Sequence, residues 1–155
     1  MTVMEFKTAA QQTCYEKTLA LMKELFGEMV LIRDDVPLMG LIQGTALVHV
    51  GVHPWGDDDA VICARSYVVF GADTTPDLMQ YLLRKNDEMR FGAFGLDSDN
   101  DIFFEHAIVG STCDKQELRA TAMAVLGTAD LHDDEIVARW GGETARDRAS
   151  KPPGG

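Results

Sequence analysis

Apolar residues recur at spacings of three and four through the first part of the chain, which is the pattern of an amphipathic helix. Within residues 4–26 the positions that carry this pattern are Cys14, Tyr15, Thr18, Leu19, Met22, Leu25 and Phe26. Gly27 follows directly and suits the position after the last helical residue. The pattern therefore predicts a first helix within residues 4–26.

Four runs rich in β-branched and other apolar residues follow without a helical period. They cover residues 29–33, 38–43, 46–53 and 60–70, and a polar turn over 54–59 separates the last two. Gly44 indicates either a turn or a bulge within one longer strand. Because consecutive strands tend to lie side by side, we predict an antiparallel meander.

A second helix is predicted to begin at Thr75-Pro76-Asp77 and to run to about residue 88, since Thr75 can cap it and Pro76 suits its first position. Its apolar stripe is wide and consists of Leu78, Met79, Tyr81, Leu82 and Leu83. Packing in the core explains most of such a stripe, and self-association is the alternative for its outer part.

The remaining pattern predicts a hairpin, a last helix and a tail. The hairpin strands cover residues 92–96 and 102–109, around the acidic turn 97–101. Asp114 with Glu117 three positions later resembles a capping box, so a helix is expected to follow, with a second helical piece over 130–140. Residues 143–155 contain almost no apolar side chains and are predicted to be a mobile tail.

These elements predict an α+β fold in which helices pack on one face of an antiparallel sheet. The predicted order is α-β-β-β-α-β-β-α. The predicted boundaries are a single domain over residues 1–142 and a flexible tail over 143–155.

Composition narrows the classes of partner. The chain has 155 residues, a formal net charge of −11 and no apolar run long enough to cross a bilayer. So acidic a chain disfavours binding to nucleic acid and favours either a basic partner or simple solubility. The first seven residues lack the pattern of a secretory signal, so we expect a cytoplasmic protein without a membrane partner. Cys14, Cys63 and Cys113 lack paired spacing and are expected to be free thiols.

No catalytic, cofactor or metal site is predicted, because the chain lacks the sequence motifs of nucleophile elbows and phosphate loops. Asp97, Asp99 and Asp101 match the start of a calcium loop, but Ile102 stands where the loop needs Gly and Ile108 where it needs Glu. An acidic hairpin turn is the simpler interpretation.

A second hypothesis is a small-ligand or metal-dependent protein, with an enzyme as one form of it. It would use His49, His53 and His106 with nearby carboxylates such as those of residues 57–59. On one straight strand, however, residues four apart are roughly 13 Å apart, too far to share one ion.

Several segments together resemble one superfamily of small domains. They are Leu82-Leu83 followed by Asn86, Phe91-Gly-Ala-Phe-Gly-Leu96, Ile102-Phe-Phe-Glu-His106, and Ala129-Asp130 ahead of Asp133-Asp-Glu-Ile136. The chain resembles the type III secretion chaperone-like superfamily, which includes YbjN-type domains and related small proteins of bacteria such as cyanobacteria.

The resemblance implies a non-enzymatic protein, often a homodimer, that binds protein or peptide segments as a chaperone or adaptor. It implies that the face and edges of the sheet, together with the helices, make the contacts. The candidates for such a partner-binding or dimer surface are Val48, Val50, Val52, Trp55, Phe70, Leu78, Met79 and Leu82.

Overall fold

The fold consists of four helices and one antiparallel sheet within residues 3–44 and 46–151, the part of the chain that the computed structural model describes. The helices are α1 (Ala9–Phe26), α2 (Pro76–Glu88), α3 (Lys115–Trp140) and α4 (Ala145–Ala149), with a 3-10 turn over Gly27–Met29. The strands are β1 (Val30–Ile32), β2 (Leu38–Gln43), β3 (Ala46–Trp55), β4 (Asp59–Phe70), β5 (Ala93–Leu96), β6 (Ile102–Val109) and β7 (Glu143–Thr144). The predicted α+β class and the antiparallel sheet are confirmed.

The strands lie in the order β1-β2-β3-β4-β6-β5, and β7 pairs with β4. The first four form the predicted meander, because each is joined to the next by a short turn. The hairpin of β5 and β6 joins the sheet through β6, which pairs with β4. In this ladder Val61 lies opposite Val109, and Ile62 lies opposite Ile108.

The three long helices each start at a side chain that caps the first turn. Thr75 Oγ1 accepts a hydrogen bond from the Leu78 amide at 3.1 Å, and Asp114 Oδ1 accepts one from the Glu117 amide at 2.7 Å. Thr8 does the same for α1 through the Gln11 amide at 3.0 Å. Such caps satisfy amides that have no partner within the helix. The predicted starts of α2 and α3 are therefore confirmed.

The core lies between the sheet and helices α1, α2 and α3, which pack on one face. Side chains in β4 alternate: Ala60, Ile62 and Ala64 are buried under the helices, whereas Val61 and Cys63 on the opposite face are half-buried. The same alternation buries Val48, Val50 and Val52 of β3 and Ile102 and Phe104 of β6. The helices therefore cover one face of the sheet, and the opposite face is more accessible to solvent.

Two details differ from the predicted order. Gln43 pairs with Ala46 across an antiparallel turn, and Gly44 there has φ 63°, so the bulge alternative is wrong and four strands precede α2. The last long helix is continuous over 26 residues, where two helical pieces were expected.

The segment after Gly142 contains ordered elements where the sequence predicts a mobile tail. Thr144 and Glu143 pair with Val69 and Phe70 of β4, and Thr144 is only 1% exposed. A five-residue helix, α4, follows. The fold therefore extends beyond the predicted boundary at residue 142, and residues 152–155 of the predicted tail lie outside the described part of the chain.

Candidate functional site

The sheet has one face on which α1, α2 and α3 do not pack, and we call it the open face. Strand register identifies its members, because paired residues in an antiparallel ladder point to the same side. One row runs Leu31, Gly40, His49, Arg65 and Glu105 across four strand pairs. The open face also includes Leu38, Ile42, Leu47, His53, Trp55, Val61, Cys63, Tyr67, Phe103, Ala107 and Val109.

Apolar side chains of the open face are accessible to solvent. Trp55 is 57% exposed, Leu31 50%, Val109 37% and Ile42 36%. Large apolar side chains on one side of a sheet are normally buried, and an accessible group of them marks a surface that another molecule can cover.

The middle of the open face is polar and already paired. Arg65 forms an ion pair with Glu105, and its guanidinium carbon lies 3.7 Å from the centre of the Phe103 ring. Tyr67 stands edge-on to the same ring and donates a hydrogen bond to Asp97 at 2.8 Å. These contacts hold the side chains in the middle of β4 and β6 in place. The more accessible apolar residues of the open face lie outside this polar group.

The two histidines of β3 do not form a metal site with the neighbouring carboxylates. Burial, followed by the nearby Arg33 and Arg65, lowers the pKa of His49, which keeps its ring neutral near pH 7. Asp59 instead accepts hydrogen bonds from the amide and the hydroxyl of Ser111. A neutral imidazole can bind a metal, but His49, His53 and residues 57–59 do not bring three ligand atoms close enough together to share an ion.

Among the described residues, one group has three carboxylate, imidazole or thiol ligand atoms close enough to share an ion, namely Asp97, Asp99 and Asp101. Asp97 Oδ1 accepts hydrogen bonds from the amides of Asp99 and Asp101, each at 2.9 Å. Asp101 Oδ1 accepts one from the Gly71 amide. These carboxylates hold the hairpin turn together, as the simpler interpretation of the sequence expects.

Five of the predicted surface residues lie in the core. Val48, Val50 and Val52 face the helices, and Leu78 and Leu82 of α2 are also buried. Their side chains lie between the sheet and the helices and are at most 4% exposed. Trp55 is exposed while Phe70 and Met79 are half-buried, so these three remain predictions. The accessible Leu31, Ile42 and Val109 were missed.

A cavity of about 240 Å³ lies where β3 and β4 separate. Their ladder ends at His49 and Arg65, and beyond it Ser66 Oγ donates to the Leu47 carbonyl at 2.9 Å. The walls come from β3, β4, α3 and α4, through residues that include Leu47, Tyr67, Leu126, Ala129, Asp133 and Arg146. This cavity was not predicted from the sequence, because one of its walls is α4. Thr144 with Asp147 three positions later was an available signal for that helix, and Thr144 Oγ1 does accept a hydrogen bond from the Asp147 amide at 3.0 Å.

Comparison with known protein families identifies the family of this chain. Residues 14–148 match the family TY-Chap1, described as T3SS (YopN, CesT) and YbjN peptide-binding chaperone 1. The chain belongs to this family. The resemblance inferred from sequence is therefore confirmed, and the matched region runs from α1 into α4. No curated protein matches the chain at a significant level.

The description of the family is that of a peptide-binding chaperone domain. Among the described residues, none of the helices is both long and apolar enough to cross a membrane.

Proposed function

We propose that this TY-Chap1 protein is a non-enzymatic chaperone or adaptor that holds an extended polypeptide segment against the open face of its sheet. The observation that carries the proposal is the accessible apolar group on that face, above all Leu31 at 50% and Ile42 at 36% exposure. Both belong to the β1-β2 side, where β1 is an edge strand of three residues. An edge strand offers backbone groups to an extended peptide, while apolar side chains nearby select its residues.

The net charge of −11 supports a basic polypeptide as partner and disfavours nucleic acid. Long-range attraction raises the rate of encounter with a basic chain and weakens as salt is added. A cytoplasmic location remains a prediction from the sequence.

The proposal is tested with unfolded lysozyme, which is a basic polypeptide of known sequence. Reduction and carbamidomethylation of its cysteines keep it unfolded. We expect saturable binding in a calorimetric titration of the full chain. The double variant Leu31→Ser with Ile42→Ser is expected to bind roughly tenfold more weakly, because it removes the accessible apolar contacts on the β1-β2 side of the open face.

The matched control is Leu131→Ser on α3, since Leu131 is 76% exposed but lies in the helical layer. This variant is expected to bind as the parent chain does. Absence of saturable binding, or equal weakening by the control, would rule out the open face as the binding surface.

We further propose a homodimer. The core accounts for Leu78 and Leu82 of the α2 stripe, and it leaves Leu83 as the accessible apolar residue at 68% exposure. Light scattering of the full chain at micromolar concentration is expected to give twice the monomer mass, and Leu83→Glu is expected to shift that mass towards the monomer. A monomer mass for the parent chain contradicts the proposal.

A further inference from the structure

One acidic residue lies within the apolar stripe of α3. The buried positions of this helix include Leu126, Ala129, Asp133, Ile136 and Trp140, which recur at spacings of three and four. Asp133 thus occupies a position where a core helix normally carries an apolar residue, and it is only 4% exposed. A buried carboxylate is costly unless it is paired, so its partners decide what it can do.

Among the residues that the structure describes, Asp133 has one hydrogen-bond donor and no ion pair of its own, although Arg146 lies close enough to act on its charge. Its Oδ1 accepts a hydrogen bond from the adjacent Asp134 amide at 2.7 Å. Within the described part of the chain, no Lys, Arg or His side chain lies within 4.0 Å of it in an ion pair. Arg146, the cation that acts on Asp133, forms its ion pairs with Asp130 at 3.5 Å and Asp134 at 3.1 Å.

The carboxylate lines the 240 Å³ cavity between β3, β4, α3 and α4. Much of the remaining wall is apolar and comes from Leu47, Tyr67, Phe70, Leu126 and Ala129. Leu47 and Tyr67 also belong to the open face, so the cavity adjoins the surface on which we place the polypeptide. A largely apolar cavity with a buried carboxylate in its wall suits a side chain that has an aliphatic stem and a cationic end group.

The local charge favours a cation despite the two arginines of α4. Four carboxylates, of Asp130, Asp133, Asp134 and Glu143, stand near three cations, of Arg146, Arg148 and Lys151. Glu143 is paired with Arg148 and Lys151, and Arg148 stacks on Phe70 at 4.1 Å. Carboxylates therefore outnumber cations by one in this group, and Asp133, at 4% exposure, is its buried member.

We propose that this cavity receives one lysine or arginine side chain of the bound polypeptide, with the cationic head on the Asp133 carboxylate. The inference rests on the proposed peptide-binding function and adds a specificity to it. The bound segment carries a basic residue at the position that reaches the start of β3 and the end of β4.

The charge state of Asp133 links binding to pH. Burial, with the neighbouring Asp134 and Asp130, raises its pKa, while the Asp134 amide and Arg146 act in the opposite direction. The other groups lining the cavity are His49, which is neutral, Tyr67 and Arg148. A bound cation stabilises the ionised form, so affinity rises with pH through the pKa of the free protein and then levels off.

The test uses N-acetyl-lysine methylamide, its arginine counterpart and its norleucine counterpart in NMR titrations of the labelled full chain. At least one cationic probe is expected to saturate and to shift resonances of Leu47, Leu126 and Ala129. Norleucine has the stem without the charge and is expected to bind roughly tenfold more weakly. Equal binding of norleucine, or shifts confined to other parts of the protein, overturns the inference.

Asp133→Asn keeps the shape of the side chain and is expected to remove the preference for the cationic probe. Asp87→Asn makes the same charge change on the exposed surface of α2 and is expected to leave binding unchanged. Ala145→Leu narrows the cavity without touching Asp133 and is expected to weaken all three probes. Equal effects of the two Asp→Asn variants count against the site.

Folding of the variant is checked separately. Because the folded protein raises the pKa of Asp133, its ionised form costs stability at neutral pH, and Asp133→Asn is expected to unfold at a higher urea concentration there. The gain should disappear in acid, where the parent carboxyl is protonated.

The two proposals can fail independently. If unfolded lysozyme binds and depends on Leu31 and Ile42 but not on Asp133, the cavity inference alone is wrong. If the lysine probe fills the cavity but no polypeptide binds, the cavity is a cation site and the proposed chaperone function is wrong.

Discussion

At the residue scale, glycines in two environments have opposite expected effects on stability. Gly127 lies exposed in the interior of α3, and a Cβ built on it meets nothing within 4 Å. Alanine there restricts the unfolded chain and favours the helix, so Gly127→Ala is expected to raise the free energy of unfolding by about 0.5–1 kcal/mol. Urea denaturation followed by circular dichroism measures the change.

Gly92 provides the opposite case. Its φ is +76°, and an added Cβ would lie 2.6 Å from Phe104 Cε1 and 2.8 Å from the Glu105 carbonyl oxygen. Gly92→Ala is therefore expected to destabilise by more than about 1 kcal/mol. If both alanine variants change the free energy of unfolding in the same direction, then the space around each glycine and its φ angle do not determine the change.

The thiol of Cys63 is expected to be unreactive although its side chain is only half-buried. Burial, with Glu105 next to it, raises the pKa of Cys63 to about 12. At pH 8 its thiolate fraction is then roughly a thousandfold below that of an ordinary cysteine. Alkylation by iodoacetamide, followed by mass spectrometry, should be at least about 100-fold slower in the folded chain than in denaturing urea. Comparable rates in the two conditions contradict the prediction.

At the scale of elements, Asn86 joins the end of α2 to the edge of the sheet. Its side chain accepts from the Phe94 amide at 2.7 Å and donates to the Phe94 carbonyl at 3.2 Å. Asn86→Ala leaves both backbone groups without that partner and is expected to cost about 2 kcal/mol of stability. Asp87→Ala is the control, because it makes a neighbouring helical change at an exposed position. A loss equal to that of the control would mean that water replaces the Asn86 contacts.

Most elements could be predicted because their signals are local. Thr75 and Pro76 specify the start of α2 through a cap and a fixed φ, and neither depends on distant residues. The end of the fold could not be predicted in the same way. Thr144 is polar, and it is buried only because Val69 and Phe70 of β4, more than seventy residues earlier, leave backbone groups for it to pair with.

At the scale of the molecule, alternation along a strand defines two faces but not which of them the helices cover. In β3, Val48, Val50 and Val52 alternate with Leu47, His49 and Gly51, and both sets contain apolar residues. Packing of three helices from distant parts of the chain decides that the valines are buried. The family and fold class could therefore be inferred from sequence, whereas the accessible Leu31 and Ile42 and the cavity at Asp133 required coordinates.

The C-terminal segment is expected to be part of the folded body. A chain that ends after Gly142 lacks Thr144, which is 1% exposed, and loses the pairing of β7 with Val69 and Phe70. The free energy of unfolding is expected to fall by about 1–3 kcal/mol, mainly from uncovered apolar surface and unpaired backbone groups. The ion pairs of Arg146 are exposed and add little to this loss.

The control for this truncation is a chain that ends after Lys151, which keeps β7 and α4 and is expected to stay within about 0.5 kcal/mol of the full chain. Urea denaturation measures both variants, and binding of the dye ANS reports newly accessible apolar surface around Phe70. If the chain ending at Gly142 is as stable as the control and binds no more dye, then residues 143–151 act as the mobile tail that the sequence predicts. A selective loss instead shows that β7 completes the edge of β4, and that α4 is a structural wall of the cavity at Asp133.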